Sequence, residues 1–246
     1  MKIFLAGSGW DKIVWRRRGF YDFNRLESFY IIGDEREDIH KYKAFLLDSG
    51  AFSYMSGKRK DATPCDWDAY IEEYAKFINK WDVKHFFELD IDVLVGLEEV
   101  DRLRAKLETL TGKHAIPVWH KSRGLDYWKR MVQKYDYAAI GGIVTKEIKR
   151  SEYGIFHTLL RIARENGCKV HGLGFTNLKT LLDYDFYSVD STSWLGGNRF
   201  GFIYHFNGRS LDMIKRKPNQ RVKANPVAHH NFEQWMKFNN YIESIT

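Results

Sequence analysis

Cysteine and proline are scarce in this 246-residue chain, which has two cysteines, Cys65 and Cys168, and four prolines. The two thiols lie far apart, with no CxxC pair or Cys/His cluster beside them, so neither a disulfide framework nor a structural zinc site is indicated and both read as free thiols. No apolar run approaches the roughly 20 residues needed to span a bilayer. The apolar start, Met1 to Gly7, is too short for a secretory signal, so the expectation is a cytoplasmic protein with no membrane partner. No Ser/Gly/Pro-rich tract divides the chain and no internal repeat is visible, which leaves a single domain over residues 1–246 as the expectation.

What is present is a large apolar content, 44% of residues, and an excess of positive charge, +7 with a pI near 9.2. The length is close to that of one (β/α)8 barrel. The charge favours a polyanionic partner, although a solvated basic face that only keeps the protein soluble is as good an account of any single cluster. Positive residues gather in Trp15-Arg16-Arg17-Arg18, in Lys58-Arg59-Lys60 and in the segment from Lys215, Arg216 and Lys217 to Arg221 and Lys223. Backbone phosphates attract such clusters, and exposed bases stack on neighbouring aromatics.

Short apolar runs alternate with stretches of helical period, the signature of an α/β fold. Candidate strands are residues 2–6, 29–33, 45–48, 85–90, 115–119, 137–141, 169–173, 186–190 and 201–206. Nine candidates for eight positions predict a TIM-like (β/α)8 barrel with an accessory hairpin, placed at the N-terminus, and a closing helix over Asn231 to Ile245. Asp66 reads as the N-cap of a helix whose apolar face carries Trp67, Tyr70, Ile71, Tyr74, Phe77 and Ile78. A second helix follows Gly96 and ends near Gly112, and a third covers 152–166 and stops at Asn166-Gly167.

Several strand candidates end in polar residues or glycine: Leu46-Leu47-Asp48-Ser49, Phe87-Glu88-Leu89-Asp90-Ile91-Asp92, Val118-Trp119-His120, Ile140-Gly141-Gly142, Val170-His171-Gly172-Leu173-Gly174 and Ser188-Val189-Asp190-Ser191. In a parallel barrel such ends converge on the C-terminal face, where chemistry takes place. Two strands delivering Asp48 and Asp190 to that face predict a two-carboxylate site, although a strand-end aspartate also serves simply to cap the next helix.

Asp48-Ser49-Gly50-Ala51-Phe52 resembles the Asp-Ser-Gly-Gly-Phe signature of the guanine transglycosylases, the superfamily of the queuine and archaeosine tRNA-ribosyltransferases, which exchange guanine for a 7-deazaguanine. In order along the chain, Ile140-Gly141-Gly142-Ile143 resembles that family's base-binding loop, His171-Gly172-Leu173-Gly174 the next strand end, and Ser188-Val189-Asp190-Ser191 the strand of its nucleophile. The family's tRNA enzymes carry a Cys-x-Cys-x-x-Cys and His zinc site after the nucleophile, and this chain has nothing of the kind beyond Asp190. A compact, zinc-free chain resembles the DNA-acting branch found in phage and bacterial gene clusters. The resemblance therefore favours DNA over tRNA as the polymer and 7-cyano-7-deazaguanine as an incoming base, with no cofactor or metal.

The resemblance implies roles for particular residues. Asp190 is the nucleophile that forms a covalent glycosyl intermediate, and Asp48 is the acid/base. Asp90 reads the purine's N1 and amino group, with Asp92 the competing assignment. Ser49, Gly172 and Gly174 join the base-binding set, the amides of Gly141 and Gly142 meet the O6 edge, and His120 contacts the 7-substituent or the sugar. Phe52 and Trp119 are candidates to sandwich the base. His229-His230 lacks neighbouring carboxylate or thiol ligands and is not read as a metal site. Two other functions stay open at this point: a non-catalytic nucleic-acid-binding subunit, and a barrel N-glycoside hydrolase using the same carboxylates with water.

Overall fold

Alternation of inward and outward side chains along short strands organises this fold. The computed structural model describes residues 1–7, 13–16, 18–51, 65–175, 177–215 and 224–246. Among the described residues nine strands follow in chain order: β1 (Lys2–Ala6), β2 (Asn24–Ser28), β3 (Ala44–Asp48), β4 (Val118–Trp119), β5 (Tyr137–Ile140), β6 (Lys169–Gly172), β7 (Ser188–Ser191), β8 (Phe202–Phe206) and β9 (Leu211–Lys215). The helices are α1 (Ile13–Arg16), α2 (Trp67–Lys80), α3 (Asp92–Val95), α4 (Leu97–Thr111), α5 (Gly124–Lys134), α6 (Ile155–Glu165), α7 (Gly196–Phe200) and α8 (Ala224–Ile245).

Seven strands form one parallel sheet in the order β3-β2-β1-β7-β6-β5-β4. The sheet is curled. Its β3 edge bonds the segment at Phe86, with Leu47 N donating to His85 O at 3.0 Å and Phe87 N to Leu47 O at 3.0 Å. That segment also bonds the stretch before β4, through Ile116 N to Phe86 O at 2.8 Å. These are isolated bridges and not a regular strand, so the expected closed eight-strand ladder is instead a seven-strand half-barrel flanked by helices.

Period-two alternation sorts the side chains. Phe4, Ala6, Leu26, Leu46, Phe87, Ile116, Val118, Tyr137 and Ala139 form one buried cluster on the concave side of the sheet. Ile3, Leu5, Phe45, Leu47, Trp119, Ile140, Val170 and Val189 belong to the larger core between sheet and helices. His171 on β6 is 6.0 Å from the Phe4 ring and 5.4 Å from the Phe87 ring, centroid to centroid, contacts that only a curled sheet allows.

The second strand lies at 24–28, where the sequence reads as polar, and not at 29–33, where it is apolar. Arg25 and Glu27 are buried as an ion pair completed by Glu35, and Arg25 Nη1 donates to Leu5 O (2.8 Å) and Gly7 O (3.0 Å). Tyr30 and Ile31, in the turn that follows, are exposed. Local capping signals do fix the helices. Asp66 accepts from Ala69 N at 3.0 Å as the N-cap of α2, and α4 ends on Gly112 at φ 65°. A buried ion triad ties α4 and the turn before α5 to β4: Glu88 accepts from Arg104 (2.6 Å), from Arg123 (3.0 Å) and from Val118 N (2.8 Å). Removing one member of such a buried group costs about 3–5 kcal/mol, because the remaining charges lose their partner.

The accessory hairpin is β8–β9, late in the chain and not at the N-terminus. It lies along the closing helix α8, whose Asn231 and Gln234 side chains accept from Tyr204 N and Phe206 N, each at 2.8 Å. The same helix packs Trp235, Phe238 and Ile242 into the outer core, and Asn239 Oδ1 accepts from Ile3 N at 3.2 Å.

Candidate active site

Strand parity carries Asp48 and Asp190 to the inner rim of the sheet. Asp48 lies two residues beyond inward Leu46, and Asp190 lies across from inward Phe4 in the β1–β7 register. Burial pushes the Asp48 carboxyl up to about 7, helped by the charges of Asp190, Asp90 and Glu27 and opposed by the Gly50 amide, which donates to Oδ2 at 3.2 Å. The charges of three other carboxylates, Asp190, Asp90 and Glu27, thus all reach Asp48. Gly50 is at φ +80°, and a Cβ there would stand 2.7 Å from Tyr30 Cβ, so the turn that aims Asp48 requires glycine. Ser49 does not reach the mouth: it is buried, and its carbonyl accepts from Tyr70 OH at 2.5 Å.

Asp190 is buried, with Oδ1 accepting from Gly174 N at 2.6 Å and from His171 Nε2 at 3.2 Å. Behind it runs a buried chain in which His171 Nδ1 meets Ser188 Oγ at 2.7 Å and Ser188 Oγ meets Tyr137 OH at 2.6 Å. Gly174, at φ +67°, has no room for a Cβ against Val144 and serves the site through its amide. Gly172 is packed under Phe175 and Phe186 and is a strand residue, not a base contact. The sequence reading missed His171 as a site residue. The available signal was its parity, since it shares the inward face with the other rim residues.

A second group lines the rim between the Phe86 segment and β5. His120 is bracketed by carboxylates, with Nε2 2.7 Å from Asp90 Oδ1 and Nδ1 2.8 Å from Glu147 Oε2. Burial works against its charge, but the hydrogen bonds and charges of Asp90 and Glu147, with Asp92 behind, outweigh it and raise the His120 pKa to about 9. His120 is therefore an imidazolium at neutral pH. Asp90, Asp92 and His120 each bring one ligand atom to within 4.8 Å of the others, and a metal bound there would have to displace the imidazolium proton. The group is a charge clamp. Asp92 is the more withdrawn carboxylate, 12% exposed and bound to Arg123 Nε at 3.0 Å, whereas Asp90 is 27% exposed, so Asp90 is the one that faces the mouth.

The two glycines after β5 make room for this clamp. A Cβ on Gly141 would stand 2.8 Å from His120 Nε2, and one on Gly142 2.7 Å from Glu147 Oε2. The Gly141 amide already donates to Trp119 O at 2.8 Å, so it is not available to a base. Trp119 faces the other way: it is buried against Trp128 in the outer core, with Nε1 donating to Gly124 O at 2.8 Å. It cannot sandwich a base on the inner rim. Phe52 lies outside the described residues.

No protein-family model matches the chain, and no curated protein matches it in sequence. Of the basic residues, Arg16 is held by Asp34 and Asp38, each at 2.5 Å, and is no free phosphate ligand. Arg18 is exposed and loosely paired with Glu233 at 3.4 Å, and Lys215 is exposed at the end of β9. Arg17, Arg216, Lys217, Arg221, Lys223 and the cluster Lys58-Arg59-Lys60 lie outside the described residues. His230 bonds Tyr204 O at 2.8 Å and His229 lies 3.4 Å from Glu233. A hollow of about 490 Å³ opens at the N-terminal ends of β1 and β7, lined by Lys2, Tyr187 and Glu243 among others, and none of the rim carboxylates borders it. Among the described residues no helix is long and apolar enough to cross a membrane.

Proposed function

We propose that this protein is a base-exchange glycosyltransferase that replaces guanine in a polynucleotide with a 7-deazaguanine such as the 7-cyano form. The observation that carries the reading is the contrast between Asp48 and Asp190 at one rim. Asp190 is held by two hydrogen-bond donors, while Asp48 has been pushed up to about 7, where it can both give and take a proton near neutrality. Residues 85–88, bridged on both sides, are read as the eighth stave of a TIM-like barrel with this rim at its C-terminal mouth.

The chemistry runs in two displacements. In the first, an Asp190 carboxylate oxygen bonds to C1′ of the target nucleotide as the C1′–N9 bond breaks, and the departing guanine takes the proton held by Asp48. In the second, Asp48, now a carboxylate, accepts the N9 proton of the incoming base while N9 attacks C1′ and the Asp190 oxygen leaves with its electron pair. Asp90, held at Oδ1 by His120, offers its other oxygen to the N–H edge of the base. DNA is favoured over tRNA because both cysteines, Cys65 and Cys168, precede Asp190 and residues 191–246 contain no Cys-x-Cys-x-x-Cys set.

The test is incubation with guanine-containing DNA or tRNA and a labelled 7-deazaguanine. Label should enter the polymer with the intact protein and not with Asp190→Ala. Free guanine released without incorporation would instead favour an N-glycoside hydrolase, and binding indifferent to both aspartates a non-catalytic subunit.

A further inference from the structure

The buried chain behind Asp190 has only one arrangement of protons that satisfies every member. Tyr137, Ser188 and His171 are all buried, and burial raises the Tyr137 phenol above its ordinary range, so it remains a donor. If Tyr137 OH donates to Ser188 Oγ, then Ser188 donates to His171 Nδ1 and His171 Nε2–H donates to Asp190 Oδ1. Reversing the direction, whether with a proton on Asp190 or with both nitrogens of His171 protonated, would leave the Tyr137 hydroxyl hydrogen without an acceptor among the described residues. The first arrangement meets a carboxylate with a donor and ties down Oδ1 together with the Gly174 amide. Among the described residues Oδ2 accepts no hydrogen bond.

We propose that His171, oriented by Ser188 and Tyr137, is a positioning residue that locks Asp190 Oδ1 and so reserves Oδ2 as the oxygen that attacks C1′. This rests on the glycosyl-transfer reading above for its last step, but the lock itself is a property of the folded protein. It divides the labour of the two carboxylates: the relay supplies Asp190 with donors only, whereas Asp48 faces other carboxylates. It also gives His171 a role that no substrate contact requires, since its ring is enclosed by Phe4 and Phe87.

Two amide substitutions separate the two nitrogens of the ring. A glutamine amide reaches the Nε2 position and can still donate to Asp190, whereas an asparagine amide reaches only the Nδ1 position and keeps the Ser188 contact alone. His171→Gln should hold kcat for base exchange within about fivefold, and His171→Asn should lower kcat by about 10- to 100-fold with little change in KM, the loss of one hydrogen bond to a charged group. Equal losses in the two variants, or a loss confined to KM, would overturn the proposal. Nitrogen-15 NMR of the imidazole in the full chain reads the lock without substrate. His171 should be the Nε2–H tautomer at pH 7, and Ser188→Ala should mix the tautomers. An Nδ1–H ring overturns the proposal whatever the activity. Absence of exchange by the wild-type protein on both polymers overturns the glycosyl-transfer reading instead, and the tautomer then decides the relay alone.

Discussion

Gly141 and His120 are packed so closely that a single methyl group on the glycine would stand 2.8 Å from both Cε1 and Nε2 of the imidazole. The β5 end therefore sets the position of the clamp on Asp90. Gly141→Ala should push His120 off Asp90 and return its pKa from about 9 towards 6.5, read by NMR titration of the ring protons. Gly154→Ala, where nothing lies within 4 Å of the added Cβ, should leave the titration unmoved. An unchanged His120 titration in Gly141→Ala would mean that the clamp does not depend on this contact.

The same clamp predicts a pH dependence of stability. The folded-state pKa of His120 is raised, so its contribution is fully present below about 6.5 and is lost as pH rises through about 9. A displacement from 6.5 to about 9 corresponds to about 3 kcal/mol. Denaturant unfolding should show stability falling across that window in the wild type and a flatter profile in His120→Gln. Equal slopes in the two proteins would remove the imidazolium from the account.

Asp48 works in a lower window. Its folded-state pKa is raised from 3.8 to about 7, so the chain is most stable with this carboxyl protonated and loses stability as pH rises from about 4 to 7. Asp48→Asn keeps an acceptor for the Gly50 amide and removes the charge. Allowing for the partial solvent contact of the side chain, it should stabilise the protein at pH 8 by roughly 2 kcal/mol, about 4–8 °C in Tm for a chain of this size, and make little difference at pH 4. Base exchange should be lost in the same variant. A destabilised Asp48→Asn protein at pH 8 would show that the carboxylate is not strained by its neighbours.

These predictions turn on residues that the sequence made visible to different degrees. Strands β1, β3 and β5, helices α2, α4 and α6 and the rim aspartates were legible, because short apolar runs ending in Asp or Gly, an Asp66 cap and a Gly112 stop are local signals. β2 was not, since Arg25 and Glu27 read as solvent-facing until Glu35, nine residues on from Leu26 in a separate turn, is seen to neutralise them. The apolar run Phe29 to Ile32 took its place in the reading. The direction of Trp119 follows only from strand parity: Ile116 and Val118 face inward, so the register sends Trp119 out and His120 in. The β9 half of the hairpin was announced by Asn207-Gly208, with Gly208 at φ +94°, a turn signal that went unused. The His171 relay depends on contacts between β5, β6 and β7 that no stretch of a single sequence encodes locally.

Charge clusters were the least transparent feature, and they separate polymer binding from stability. Arg16 is engaged by Asp34 and by Asp38, whose side chain is only 3% exposed, so removing it leaves a buried carboxylate short of a partner. Arg16→Ala should therefore lower Tm by a few degrees and leave the salt dependence of DNA binding unchanged. Lys215, exposed at the end of β9, has no such engagement among the described residues. Lys215→Ala should leave Tm in place, weaken binding uniformly across sequences and reduce the slope of log Kobs against log salt by about 1 if it meets a phosphate. The measurement is DNA-binding affinity over a salt series for the two variants. A reduced slope for Arg16→Ala with Tm intact would show that its carboxylate partners release it to the nucleic acid, reversing the assignment made from the ion pairs.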